Sequence, residues 1–596
     1  MSTHSPFGPD AQRRRQSLAY ASPNVVFGTH NPLLPPSVDG PQPSPAAPKQ
    51  PHALRSAHSE KFALDADPLL WGADNIMRGY RDADDPIHNP DPQRDKRVDR
   101  GSTIFTTRGL VNLGFLLLLV LGMFGLFAGY PIASYFTKHS LSTNGGFGLG
   151  GINSTGQVPE MDGKWGLIDP DTPHEALTKK SYMNGKDLQL IFSDEFNVDD
   201  RTFYPGDDPY WEAYDLHYWG TNNKEWYDPA QITTKDGALR ITLDKKPNHN
   251  LNYSGGMMTT WNKFCFTGGL YEASVTLPGA NNILGLWPAV WAMGNLGRAA
   301  YGATLEGLWP YTYDSCDVGT VANQTVNGQP HAATVDGDKS YNNVLSYMPG
   351  QRLSRCTCPG EIHPGPVHSD GTYVGRAAPE IDMFEAQVNA ELGGHVSQSG
   401  QWAPFNHAYE WFDTEDNLVI YNTSISSENS YKGGVWQQAT SVVTKTDQRC
   451  YELEEGCFSL YGFEYKPGFD DAYITWISSG ARAWTIKSAG MAADPQVEIG
   501  ARPVPQEPMY LIMNLGISEN FGFVDYDHLT FPATMSVDYV RVYQDPDHIN
   551  YGCDPKDFPT AAYIEQFKEA YTNPNLTTWV DDYKQKWPKN SFLGEC

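Results

Sequence analysis

Cysteine is missing from the first part of this 596-residue chain: all eight, at 265, 316, 356, 358, 450, 457, 553 and 596, lie beyond its one long apolar run. Basic residues are scarce as well, with 43 Lys and Arg against 70 Asp and Glu, a formal net charge of −27. A nucleic-acid partner needs a basic groove, and none is apparent, so no nucleic-acid partner is expected. The acidity serves mainly to keep an exposed surface soluble. Cys356-Thr357-Cys358 has the wrong spacing for a zinc site. Neither a metal nor a cofactor is expected. The opening residues are polar, which argues against a cleavable signal peptide, and the polar C-terminal tail lacks a lipid-anchor signal. Long periodic helical patterns are missing until about Ala561–Tyr571.

The apolar run is Leu110–Ile132, with Asn112 as its one strongly polar residue. As a helix it spans a hydrocarbon core of ~30 Å. Arg94, Lys96, Arg97, Arg100 and Arg108 precede it, so the positive-inside rule places the N-terminus in the cytosol. The expectation is a transmembrane signal anchor over 109–136. That makes a single-pass type II membrane protein of the secretory pathway (endoplasmic reticulum, Golgi or plasma membrane). Its C-terminal domain would be lumenal or extracellular. Two counts agree. The cysteines follow the span, and so do the N-glycosylation triplets at Asn153, Asn252, Asn323, Asn422 and Asn575. Oxidised cysteines and glycans belong on the same side of a membrane. Residues 1–108 read as a disordered cytosolic tail, with one short helix near Asp67–Arg78 and with cytosolic trafficking partners. Residues 137–184 read as a lumenal stalk, 185–545 as the main domain, and 546–596 as an extension packing on it. Eight cysteines allow 105 pairings; only Cys450 and Cys457 are expected to flank a single loop.

Short β-rich runs recur with turn signals between them: Leu188–Ser193, Ala238–Leu243, Leu270–Leu277, Ala472–Ile477 and Ala483–Ile486. They predict an all-β, antiparallel sandwich. Within it, Glu380-Ile381-Asp382-Met383-Phe384-Glu385 sets three carboxylates in one short apolar strand. Burying them together is costly unless they are used or neutralised. Alternation puts Glu380 and Asp382 on one face and Glu385 on the other. A β-bulge at about Met383–Phe384 would return Glu385 to the shared face. Two such carboxyls roughly 5–5.5 Å apart are what glycoside cleavage with retention needs, one as acid and one as nucleophile. Aromatic residues make up 13% of the chain, and their rings offer rigid stacking area to sugars. Trp287, Trp291, Trp402, Trp436, Trp226 and Tyr227 are the candidates.

Several segments resemble glycoside hydrolase family 16 in the right order: Leu190–Phe196, Gly285–Gly294 with its G-x-W-P-A-x-W pattern, the acidic motif, Pro508–Leu515 and Val537–Tyr543. Trp261–Gly269 and Asp314–Gly319 further resemble the fungal β-1,6-glucan synthesis-associated proteins. The resemblance implies a jelly-roll sandwich whose concave face carries the motif. It implies Glu380 as nucleophile, Glu385 as acid/base, Asp382 as an electrostatic assistant, and Trp287, Trp291, Trp402 and Asn514 as substrate-binding residues. The partner would be a β-glucan polysaccharide, and the activity a retaining hydrolase or transglycosylase of cell-wall biosynthesis. The alternative is a non-catalytic glucan-binding assembly factor that keeps the fold. Two departures bear on this. No His occurs in Tyr461–Tyr465, where many members carry one, and 295–375 is longer than the usual connection. That extension is expected to roof or narrow the cleft.

Overall fold

The computed structural model describes residues 105–137 and 166–596, apart from 390, 391 and 415, together with Gln93 and Lys96. The expected helix near Asp67–Arg78 and the triplet at Asn153 lie outside the described residues.

The apolar run is helical from Thr107 to Thr137. Thr106 Oγ1 caps its start by accepting from Gly109 N at 3.1 Å. Gly109–Ala133 is long and apolar enough to cross a membrane, and none of its most apolar stretch is buried among the described residues. Its leucines are mostly more than half exposed, with Leu118 at 70%. A five-residue π segment, Gly125–Gly129, interrupts the α-helix just before Pro131. Proline has no N–H to give and its ring crowds the carbonyl four residues back, so a wider turn there relieves both.

Residues 166–596 contain two ten-stranded sheets. The first runs from Thr178–Lys180 through Asp187–Asp194, Ala533–Gln544, Gly269–Thr276, Ser459–Lys466, Tyr473–Ser478 and Ala481–Lys487 to Leu418–Ile420. The second runs from Ser426–Glu428 through Gln437–Lys445, Gly393–Trp402, Glu380–Asn389, Trp287–Gly294, Met509–Gly516 and Tyr253–Thr259 to Glu212–Ala213. Neighbouring strands are antiparallel, except where Glu225–Tyr227 pairs in parallel with Tyr253–Gly255. Strand alternation builds the core. Val290, Ala292, Ile381, Leu511 and Met513 of the second sheet join Tyr271, Val275, Phe463 and Trp476 of the first in one buried cluster. The fold is thus the antiparallel sandwich the turn-punctuated runs predicted.

Two sequence readings change here. The strand that lacks the expected His, Ser459–Lys466, belongs to the first sheet, where Tyr461, Phe463 and Tyr465 are core residues. Its Tyr461 packs on Phe384 of the acidic strand at 4.8 Å, so it meets the motif from the core side. Trp402 is also a core residue, with no exposed surface and its indole N–H on Thr440 Oγ1 at 3.2 Å. Alternation along Gly393–Trp402 explains this: Ser399 and Gln401 face one way, Gly400 and Trp402 the other.

The extension 295–375 is ordered into short helical turns. It shares a second buried cluster with the C-terminal segment, including Leu305, Trp309, Tyr563 and Trp579. Disulfides join Cys265 to Cys553, Cys316 to Cys356, Cys358 to Cys596 and Cys450 to Cys457. The C-terminal helical pattern is divided into Ala561–Gln566 and Lys568–Thr572.

Candidate active site

The strand Glu380–Asn389 lies mid-sheet between Trp287–Gly294 and Gly393–Trp402. Its register slips between Asp382 and Glu385. Asp382 stands opposite Ser399 and Glu385 opposite Ser397, so Met383 and Phe384 together face Gln398 alone. That is the bulge the odd spacing called for. It sends Ile381, Met383 and Phe384 to the core and leaves all three carboxyls on the other face.

A bulge frees carbonyls from the ladder, and buried carbonyls need donors. Two core side chains supply them. Trp476 Nε1, from the other sheet, donates to Asp382 O at 2.8 Å. Gln398 Nε2 donates to Met383 O at 2.9 Å and to Ile477 O at 3.0 Å, tying the bulge to the facing sheet.

The carboxyls floor a cleft that is open to solvent. Glu380 and Glu385 are half-buried, whereas Asp382 is 2% exposed. Each has a distinct set of donors. Trp309 Nε1, from the extension, donates to Glu380 Oε2 at 2.6 Å. Trp287 Nε1 donates to Glu385 Oε1 at 3.0 Å. Ser399 Oγ and Gln401 Nε2 donate to Asp382 Oδ2 at 2.7 and 3.0 Å. Burial pushes the Glu380 carboxyl well above the ordinary carboxylate range. The Asp382 charge adds to this and Glu385 adds less, while the Trp309 N–H pulls the other way.

The flanking walls follow from alternation. Trp287, Ala289, Trp291 and Met293 face the cleft along one strand, and Asn514 joins them from the next. Trp291 Nε1 donates to Asn514 Oδ1 at 2.8 Å, which fixes the amide. Trp287 stacks on Phe521 at 4.4 Å with the rings 7° from parallel. Of the expected substrate-binding residues, Trp287, Trp291 and Asn514 border the cleft and Trp402 does not. Tyr227 also borders it. Trp226 instead stacks on His249 at 3.8 Å, and Trp436 packs beside Tyr347 at 5.7 Å.

Sequence reasoning missed Trp309 as a partner of Glu380, and with it Gln401, Asn223, Tyr431 and Gln437, all of which border the cleft. Gln401 had a usable signal, since a strand pairing beside the motif must present alternate side chains to the same face. Its Oε1 is buried without a partner. A buried acceptor of that kind is set to receive a donor from a ligand.

Fold and cleft together define a class: a β-sandwich protein with a cleft floored by carboxyls and walled by indoles. The chain belongs to the β-glucan synthesis-associated protein SKN1/KRE6/Sbg1 family, whose model matches residues 75–596. It is 42% identical over 568 residues to the β-glucan synthesis-associated protein SKN1 of Candida albicans, covering 91% of this chain and 72% of that one. It is 41% identical over 532 residues to the β-glucan synthesis-associated protein KRE6 of Saccharomyces cerevisiae, covering 87% and 70%. Among solved structures, it is similar to the catalytic domain of an endo-1,3-β-glucanase (laminarinase) from Thermotoga petrophila. That likeness has 19% identity and a TM-score of 0.33, over 61% of this chain and 99% of the other.

Proposed function

We propose that the chain is a membrane-anchored, retaining β-glucan transglycosylase or hydrolase acting in the assembly of cell-wall β-1,6-glucan. The observation that carries this reading is the bulge, which turns Glu380, Asp382 and Glu385 into one cleft. Glu380 attacks the anomeric carbon while Glu385 protonates the departing glycosidic oxygen. Water or a sugar hydroxyl then displaces Glu380, with Glu385 taking up the proton. A wall-building role favours the sugar hydroxyl. A nucleophile must be ionised, so Glu380 attacks as the carboxylate. Trp309 steadies the Glu380 charge, and Trp287 orients Glu385. Trp291, Asn514 and the unpartnered Gln401 Oε1 bind glucan hydroxyls and ring faces.

The same reading makes 1–108 a cytosolic tail with trafficking partners, 109–136 the anchor, and the remainder lumenal or extracellular. Four of the five glycosylation triplets fall among the described residues, and Asn252, Asn323, Asn422 and Asn575 are all exposed. Four disulfides among eight cysteines suit an oxidising compartment.

One experiment tests chemistry and topology together. Sealed microsomes holding the full chain are treated with a membrane-impermeant 2-deoxy-2-fluoro glucan oligosaccharide, which traps glycosyl-enzymes. Labelling should appear only after detergent opens the vesicles, should map to Glu380, and should be absent from Glu380→Gln. The indole N–H of Trp309 already rests on Glu380, which favours a second reading, a glucan-binding assembly factor without turnover. Absence of trapping on the wild-type chain, with Glu380→Gln restoring normal wall glucan in a null strain, would establish the second reading in place of the first.

A further inference from the structure

Beneath one end of the cleft lies a carboxyl that the proposed chemistry does not use. Glu225 has no exposed surface and no cation among the groups that act on it. Burying an unpaired carboxylate is among the costlier things a fold can do. The surroundings are nonetheless shaped for it. A Cβ on Gly516 would overlap Glu225 Oε1, and one on Gly255 would lie 2.9 Å from its Cγ. Both neighbouring strands therefore leave a side chain's width for this group.

The donors around Glu225 lead to the cleft wall. Ile517 N donates to Oε2 at 2.9 Å and Asn223 Nδ2 to Oε1 at 2.6 Å. Asn223 Nδ2 reaches the Tyr227 hydroxyl as well. That hydroxyl accepts from Asn223 Nδ2 at 3.1 Å and from Asn514 Nδ2 at 3.3 Å. Asn514 Oδ1 in turn accepts from Trp291 Nε1. Asn223, Tyr227, Asn514 and Trp291 all border the cleft. An ionised carboxylate accepts only, so it holds the Asn223 amide with its N–H groups toward Glu225 and Tyr227. The Trp291 indole can only donate, so the Asn514 carbonyl faces it and Asn514 Nδ2 is left for Tyr227. A neutral carboxyl brings one donor of its own into a ring of donors and releases one of them.

We infer that Glu225 is a positioning residue that orients the Asn223 amide, and through it the Tyr227 hydroxyl, in the glucan-binding wall of the cleft. This rests on the glucan reading above. The charged and titratable groups that act on Glu225 or on its neighbour Tyr227 are Tyr218 and Tyr526, besides Tyr227 itself; none is a cation. Burial pushes the Glu225 carboxyl up to about 7, with its donors from Ile517 and Asn223 working against that.

The test is equilibrium binding of a β-1,3-linked and a β-1,6-linked glucotetraose to the detergent-solubilised full chain. Both are measured in a Glu380→Gln background, so that neither turnover nor Glu380 titration interferes. Binding should weaken by about tenfold or more as pH falls from about 8 to 5.5, because protonating Glu225 releases a wall donor. Glu225→Gln should bind about tenfold more weakly at the higher pH and lose that pH dependence. Tyr227→Phe, which leaves Glu225 and the ring in place, should show the same weakening and serves where Glu225→Gln does not fold. Unchanged affinity in a folded Glu225→Gln or in Tyr227→Phe overturns the positioning role and leaves the glucan reading standing. Failure of the Glu380→Gln chain to bind either tetraose at any pH overturns both.

Discussion

Glu380 is the residue on which the cleft's electrostatics turn. Its carboxyl is raised well above the ordinary range by burial and then by Asp382. A carboxyl raised in the folded state stabilises the fold fully below its unfolded pKa, and that contribution is lost as pH rises through the folded value. An ionised Glu380 is thus a standing cost at neutral pH. Gln at 380 removes the charge. Glu380→Gln should therefore raise the thermal midpoint at about pH 7.5 and lose that advantage by about pH 4. Differential scanning calorimetry at the two pH values checks this; a midpoint lower than wild type at the higher pH would refute it. The acidic motif was legible as a site because three carboxylates in an apolar strand have no ordinary structural use. Trp402 was misread because its register was unknown. Placed directly opposite Glu380, Gln401 faces the cleft, and the more conspicuous indole beside it must then face the core.

At the scale of the element, one inserted residue decides whether the strand has a site at all. Without the bulge, Glu385 would enter the core beside Val290 and Ala292, and Phe384 would occupy the cleft. The odd offset made the bulge foreseeable, but not what holds it. Trp476 and Gln398 lie far from the motif in sequence, and nothing local marks them as donors to its carbonyls. The same long-range pairing put Ser459–Lys466 on the first sheet, beyond what its composition could reveal. Trp476 also stacks on Trp484 at 4.1 Å, so Trp476→Phe keeps most of the packing and removes the N–H. Losing this hydrogen bond should cost about 0.5–1.5 kcal/mol in denaturant unfolding. Trapping at Glu380 should fall more steeply than stability predicts, since a relaxed bulge turns Glu385 away. Full trapping by a folded Trp476→Phe would show that the bulge holds without this bond.

At the scale of the whole molecule, the C-terminal segment braces the cleft from behind. The apolar helix, the sandwich and the loop disulfide could be read from runs and spacing; packing of 546–596 on the domain was expected, but not the residues that make the brace. Its pieces lie hundreds of residues apart, and eight cysteines leave their pairing open. Cys358 bonds to the last residue, Cys596, across 238 positions. The Arg352 guanidinium lies 3.8 Å from the Trp579 ring centroid, and Trp579 N donates to Glu306 Oε2 at 2.6 Å. A Cβ on Gly307 would collide with Trp587, which shows how closely the two segments meet. Glu306 and Gly307 lie two to three residues before Trp309, whose indole holds Glu380. The brace therefore sets the position of a cleft residue without entering the cleft. Replacing both Cys358 and Cys596 with Ser removes the outermost tie while Cys265–Cys553 still anchors the start of the segment. Closing a loop of that length is worth about 2–5 kcal/mol, so the midpoint of unfolding should drop accordingly. The folded double variant should also show lower trapping at Glu380, and Trp309→Phe should reproduce that loss without the drop in stability. If the double variant is destabilised yet traps as wild type does, the C-terminal segment stabilises the domain but does not position its site.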